Sequence, residues 1–299
     1  MKVKANGISI EVEDTGAGGS QAQRPVVLLI MGLGMQLIAW PDAFVQALED
    51  AGFRVVRFDN RDVGLSQQFD ELGTPNLVWE SLKHRLGLPV KAPYSLHDMA
   101  ADTLGLLDAL AIPQAHVVGV SMGGMVAQRV ALAAPQRVLS LASIMSSSGA
   151  RGLPGPKAQV LRALLGRPQQ PGEAGIVDHY VKLFKVIGSP AYPLDEAALR
   201  ERILLGTRRN FHPAGTLRQM VAIAADANRA QELARLRMPT LVLHGKADPL
   251  VPFACGQDTA RRIPGAQLFG VEGMGHDLPP GVVERLLQPL IPHLQRVNA

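Results

Sequence analysis

One cysteine, Cys255, occurs in 299 residues. It cannot close an internal disulfide, and its solitude also excludes zinc sites built from several thiolates. Aromatic residues are scarce at 4%, and no Lys/Arg block is interleaved with them. The net charge of +4 therefore carries no nucleic-acid footprint. No apolar run reaches the ~18 residues a bilayer-spanning helix needs. The opening residues, Met1-Lys2-Val3-Lys4-Ala5-Asn6-Gly7, lack the apolar segment of a secretory leader. These absences predict a cytoplasmic protein with no transmembrane segment and no nucleic-acid partner. What is abundant is apolar side chain, 47% of the chain, enough for one large α/β domain with an insertion or for two domains.

The apolar residues alternate between two kinds of segment. Residues 2–14 alternate in polarity around Asn6-Gly7, which predicts one or two antiparallel edge strands. Residues 25–30 are a short run apolar on both faces, the pattern of a strand covered from both sides, 115–120 and 239–244 read as further buried strands, and 53–58 and 138–145 as strands between them. Residues 266–269 make a last short strand. Helical periodicity fills the intervals: 41–51 after Pro41, 95–111 with Ser95 capping toward Asp98, 252–262 and 280–294. Buried strands alternating with helices predict a mostly parallel, eight-stranded sheet flanked by helices. From Gln67 to Tyr94 the periodicity is poor, and a loop with one short helix is expected.

The rhythm stops at Ser146. Residues 146–230 contain helical patches and no strand, with Gly/Pro breaks at 152–156 and 167–172. Residues 150–225 hold eleven Lys/Arg against five Asp/Glu, a charge excess best read as solvated helix faces. The predicted organisation is a core of residues 1–145 and 231–299 with a helical cap of residues 146–230.

Within that frame one stretch carries chemistry. The apolar run 115–120 meets Ser121 in Gly119-Val120-Ser121-Met122-Gly123, and a helix-forming segment follows at once. Strand, G-x-S-x-G and helix together make a nucleophile elbow, whereas the five residues alone would be a weak signal. A serine hydroxyl needs a base, and the base needs a partner to orient it. Of eight histidines, His276 follows a strand, among Gly273, Gly275 and Pro279. His116 begins the elbow strand at the wrong end, and His244 lies within a strand as a packing residue. His84, His97, His179, His212 and His293 fall on helices or cap loops, where solvent-facing roles are expected. For the acid, Asp248 follows the strand 239–244; its rival Asp226 precedes that strand, Asp277 points elsewhere, and Asp102 reads as a surface or capping residue. Singly, Ser121 could be a helix cap, Asp248 a turn residue and His276 a loop residue. All three at strand carboxyl ends, in the order Ser-Asp-His, form a triad. The backbone N–H groups of Met122 and of Leu33, in the loop Gly32-Leu33-Gly34, are the expected oxyanion donors.

Met31-Gly32, Trp40-Pro41-Asp42, Asp59-Asn60-Arg61-Asp62-x-Gly-x-Ser66, the elbow and Gly273-Met274-Gly275-His276 resemble bacterial esterases of the aclacinomycin methylesterase type, within the α/β-hydrolase fold. The likeness covers nearly the whole chain and is weakest in the cap. It implies the same triad, no cofactor, no metal, and a bracing role by ion pairs for Asp59 to Ser66. Many relatives carry His-Gly where this chain has Met31-Gly32, which leaves the backbone donor but alters the hydrogen bonding around it. The expected activity is hydrolysis of a small-molecule carboxylic ester through an acyl-enzyme on Ser121. Cofactor-free perhydrolysis on the same triad, or ligand binding without catalysis, are the alternatives. Leu161, Leu164, Leu165, Val181, Leu183, Phe184, Val186 and Ile187 predict an apolar substrate pocket in the cap; oligomeric state and natural substrate are not legible.

Overall fold

In the computed structural model, residues 1–17 and 19–297 are described. The chain opens with strands β1 (Lys2–Ala5), β2 (Ile8–Asp14) and β3 (Val26–Ile30), followed by helix α1 (Asp42–Asp50) and β4 (Arg54–Phe58). Helices α2 (Leu77–Arg85) and α3 (Leu96–Ala109) precede β5 (Ala115–Val120), α4 (Met122–Ala133) and β6 (Val138–Ile144). Five helices come next without an intervening strand: α5 (Ala158–Leu164), α6 (Gly172–Ile187), α7 (Glu196–Arg209), α8 (Pro213–Ala225) and the short α9 (Arg229–Glu232). The alternation then returns with β7 (Thr240–Gly245), α10 (Phe253–Arg262), β8 (Gln267–Val271) and α11 (Pro280–Gln295).

All eight strands form one sheet in the order β1-β2-β4-β3-β5-β6-β7-β8. β1 and β2 pair antiparallel, β2 runs antiparallel to β4, and every later pair is parallel. β3, β5 and β7 are buried at every position, because helices cover both faces. On one face α3 and α4 pack Leu96, Met99, Leu106, Val126 and Val130 against Leu28, Ile30 and Val117. On the other, α1 and α11 press Phe44, Leu48, Leu286 and Leu290 onto Leu29, Val55 and Val118. Parallel order sends every carboxyl end from β3 to β8 to the same edge, so the loops that follow these strands converge there.

Helix boundaries follow local chemistry. α3 starts in a full capping box: Ser95 Oγ accepts from the Asp98 N–H while the Asp98 carboxylate accepts from the Ser95 N–H. α2 is the short helix expected within 67–94, and it leaves Val78, Trp79 and Leu82 exposed. Among the described residues, no helix is long and apolar enough to cross a membrane, and no group of three or more His, Cys, Asp or Glu is placed to hold a metal ion.

Two expectations need correction. Asp102 is not a surface or capping residue: it is 2% exposed and takes both Nε and Nη2 of Arg61, at 2.6 and 2.7 Å. Helical periodicity placed it correctly on α3, but its partner lies forty-one positions earlier. His293 is not solvent-facing either. It is buried on the inner side of α11, where burial pushes its imidazole pKa down to about 4.

Candidate active site

The turn from β5 into α4 is as tight as the glycines imply. Ser121 has φ 55° and ψ −120°, a conformation that L-residues with a side chain rarely adopt and that strains the backbone. A Cβ on Gly119 would sit 2.1 Å from the Gly123 carbonyl oxygen, and one on Gly123 would sit 2.0 Å from that of Ile30. Neither position admits another residue. Gly32, in the loop after β3, places an ideal Cβ 3.2 Å from Ser121 Cβ, so this loop lies directly against the elbow.

The three residues taken from the sequence meet there. His276 Nε2 lies 3.0 Å from Ser121 Oγ, and His276 Nδ1 lies 2.7 Å from Asp248 Oδ2. The partners define the tautomer: Nδ1–H donates to the carboxylate, leaving the Nε2 lone pair for the serine proton. Asp248 Oδ1 accepts from the Leu250 and Val251 N–H groups at 2.9 and 2.8 Å. Asp248 and His276 are 5% and 8% exposed, while Ser121 is only partly buried. The elbow therefore presents its hydroxyl outward while the groups behind it stay dry. Among the described residues, neither the Leu33 nor the Met122 N–H donates to another protein group, which leaves both available to an oxyanion. Met122 opens α4, where the helix dipole also favours negative charge.

The rejected candidates have other partners. The Asp226 side chain is buried between Arg129, which binds it through Nε and Nη2, and Arg229. Asp277 accepts from Ser189 Oγ, and burial raises its carboxyl pKa above the usual range. His116 is fully buried with Nδ1 2.8 Å from Ser140 Oγ. His244 is also buried; its Nε2–H donates to the Val251 carbonyl, and desolvation lowers its pKa and keeps it neutral. Its packing role includes holding the loop that carries Asp248. The side chain of His84 lies outside the described residues.

Asp59 to Ser66 braces the loops as expected, but through partners no local pattern announces. Arg209 Nη1 reaches Asp59 Oδ2 at 2.6 Å, and Arg218 grips Asp62 with two bonds of 2.8 Å. Burial pushes the Asp62 carboxyl up, but the bonds and charge of Arg218, together with the neighbouring Tyr94 and the Phe69 N–H, outweigh it and hold the pKa below the usual range. Both arginines come from α7 and α8. Asn60 Nδ2 donates to the Met31 carbonyl at 3.0 Å, holding the start of the loop after β3. The apolar residues expected to line a pocket divide. Leu161 and Leu165 face solvent, while Val181, Leu183 and Ile187 are consumed in small cores around α5, α6 and α7. Phe184 and Val186 line a cleft of about 500 Å³ with Leu194, Pro249 and Asp277, beside the loops that carry Asp248 and His276.

A buried parallel sheet with a strained serine after β5, an acid after β7 and a histidine after β8 is the arrangement of a fold family. The chain belongs to the α/β-hydrolase fold family, which its residues 25–171 match, and residues 219–282 match a TAP-like protein family. The rhodomycin D methylesterase DnrP of Streptomyces peucetius is 31% identical over 299 residues, 92% of each chain. A putative non-heme bromoperoxidase of Mycobacterium tuberculosis is 26% identical over 90% of this chain and 91% of its own. Among solved structures, a thermophilic esterase from Thermogutta terrifontis superposes with a TM-score of 0.69 at 25% identity, covering 100% of this chain and 99% of that one.

Proposed function

We propose that this carboxylic ester hydrolase cleaves the methyl ester of a larger, largely apolar carboxylic acid, with Ser121, His276 and Asp248 as its catalytic residues. The continuous hydrogen-bonded chain from Ser121 Oγ through His276 to Asp248 is the observation that carries the reading. Similarity to a methylesterase supports the choice of leaving group. In this reading residues 1–145 and 231–299 are the catalytic core, and residues 146–230 form a cap over it.

His276 Nε2 takes the Ser121 proton as Oγ attacks the ester carbonyl. The new oxyanion accepts from the Met122 and Leu33 N–H groups, each such donor being typically worth ~3 kcal/mol to the transition state. Asp248 faces Nδ1–H throughout and stabilises the imidazolium. The imidazolium returns its proton to the departing methoxide oxygen, releasing methanol and leaving the acyl group on Ser121. Water, deprotonated by the same Nε2, then attacks the acyl-enzyme; collapse frees the acid and restores Ser121.

A serine-directed fluorophosphonate should label the wild type and fail to label Ser121→Ala. Hydrolysis of methyl esters with small and large apolar acyl groups then tests the substrate. Higher kcat/KM on the larger acyl groups supports an apolar site, and no preference beyond acetate counts against it. Perhydrolysis on the same residues is the second reading, favoured by the bromoperoxidase-named relative. Peracid formed from acetate and hydrogen peroxide faster than the enzyme hydrolyses methyl acetate would place it first.

A further inference from the structure

The loop that carries the Leu33 N–H is held from outside the sheet. Gln219, fully buried on α8, accepts from the Gly34 N–H through Oε1 at 2.9 Å and donates from Nε2 to the Arg61 carbonyl at 2.9 Å. One amide thus ties the residue after Leu33 to the loop after β4. Two residues further along, Gln36 donates to the Gly206 and Asn210 carbonyls, both at 2.7 Å, and accepts from Arg209 at 2.7 Å. Gly34 itself has φ 65°, and a Cβ there would lie 2.6 Å from Thr216 Oγ1. On the core side, the corresponding restraints are Asn60 on the Met31 carbonyl, Asp59 on the Leu37 N–H and the Met35 N–H on the Gly32 carbonyl.

Resting on the Ser121 reading above, we infer that Gln219 is a positioning residue for the oxyanion hole, so that the inserted helices complete the catalytic site as well as shape the space for substrate. The physical reason lies in the peptide unit. Leu33 and Gly34 are consecutive, so anchoring the Gly34 N–H limits rotation of the peptide plane between them and, with it, the backbone that aims the Leu33 N–H. A glycine at positive φ offers no side chain of its own to restrict that rotation. Gln219 is suited to the task because one planar amide supplies an acceptor and a donor in fixed relation. Burial makes each bond costly to leave unmade.

The interaction is one the transition state needs and the bound ester does not, so its loss should appear in kcat. Gln219→Met keeps the length and removes both bonds. The expected result on a methyl ester is a drop in kcat of about 10–100-fold, below the ~10²–10³ for deleting an oxyanion donor, with KM within about twofold. The affinity for a trifluoromethyl ketone, whose adduct places an oxyanion in the hole, should fall by the same factor as kcat. Gln219→Glu keeps the shape and an oxygen for Gly34, and should retain at least tenfold more activity than Gln219→Met. Thermal melts establish that each variant is folded.

Unchanged kcat in folded Gln219→Met, a rise in KM alone, unchanged ketone affinity, or equal impairment of both variants would each overturn the assignment. If Gln219→Met does not fold, Gln219→Glu at wild-type stability decides: more than a hundredfold loss of kcat counts against the bond to Gly34, and retained kcat and ketone affinity support it. Failure of the Ser121 reading registers separately, as Ser121→Ala that still hydrolyses the ester.

Discussion

Asp248 divides its carboxylate between two tasks: Oδ2 faces His276 Nδ1 at 2.7 Å, and Oδ1 accepts from the Leu250 and Val251 N–H groups. Asp248→Asn preserves the acceptor for the backbone but can present an NH₂ to the histidine. The imidazole would then turn its Nδ1 lone pair to the amide and point Nε2–H at Ser121, where a proton acceptor is required. Loss of kcat should reach ~10³–10⁴-fold with little change in melting temperature, following the size of the same substitution in serine proteases. Steady-state hydrolysis of a p-nitrophenyl ester, paired with a melt, is the measurement. More than a tenth of wild-type kcat remaining would argue against the assigned role.

The strain at Ser121 predicts a trade between stability and activity. Glycine tolerates φ 55°, ψ −120° where serine pays in backbone energy, commonly ~1–3 kcal/mol at such sites. Ser121→Gly should abolish hydrolysis and raise the melting temperature by about 2–4 °C for each kcal/mol relieved. A variant that melts below the wild type would show that the elbow stores no strain.

Asp226, the acid rejected for catalysis, should give the opposite pattern. It compensates Arg129 and Arg229, each 1% exposed. Asp226→Asn leaves two guanidinium groups in the interior with only Glu232, on Arg129, as a remaining carboxylate. Breaking a buried pair typically costs ~3–5 kcal/mol. Chemical denaturation should show a loss of that order. Well below the new melting temperature, kcat should stay within about threefold of wild type, because the cluster touches no reacting atom. An intact denaturation midpoint would refute the buried-charge account.

His293 supplies a pH dependence of folding. Its pKa is about 4 in the folded chain against 6.5 for the ordinary imidazole, chiefly through burial, with Arg296 and His116 adding repulsion. Above pH 6.5 the ring is neutral in both states and stability is complete. As the pH falls from 6.5 toward 4, the unfolded chain binds the proton first, so stability declines through that window and levels off below it. Melts of wild type and His293→Gln at pH 7.5 and pH 5.0 test this. The variant should lose less between the two pH values, and equal losses would rule out His293 as a source.

How much of this was visible in one dimension depended on the range of each interaction. Strands apolar on both faces, the Ser95–Asp98 capping box and the glycines around Ser121 are consequences of residues within a few positions of each other. Asp248 and His276 were also legible, because parallel strands send their following loops to one edge and position along the chain then stands in for position in space. Gln219, Arg209 and Arg218 offered no such signal. On a helical pattern each is an unremarkable polar residue, and their partners lie 150 or more positions away. The same reason explains Asp102 and His293, whose burial depends on what packs against α3 and α11.

Sequence by itself determined the parallel sheet, the elbow and the order in which Ser121, Asp248 and His276 follow strand ends along the chain, since local sterics and hydrophobic periodicity act over a turn or a strand at a time. Only the tertiary structure decided how the loop after β3 is held and where the apolar side chains of α5 to α9 are spent. Those outcomes rest on hydrogen bonds and packing between elements far apart in the chain, and such contacts have no period to read.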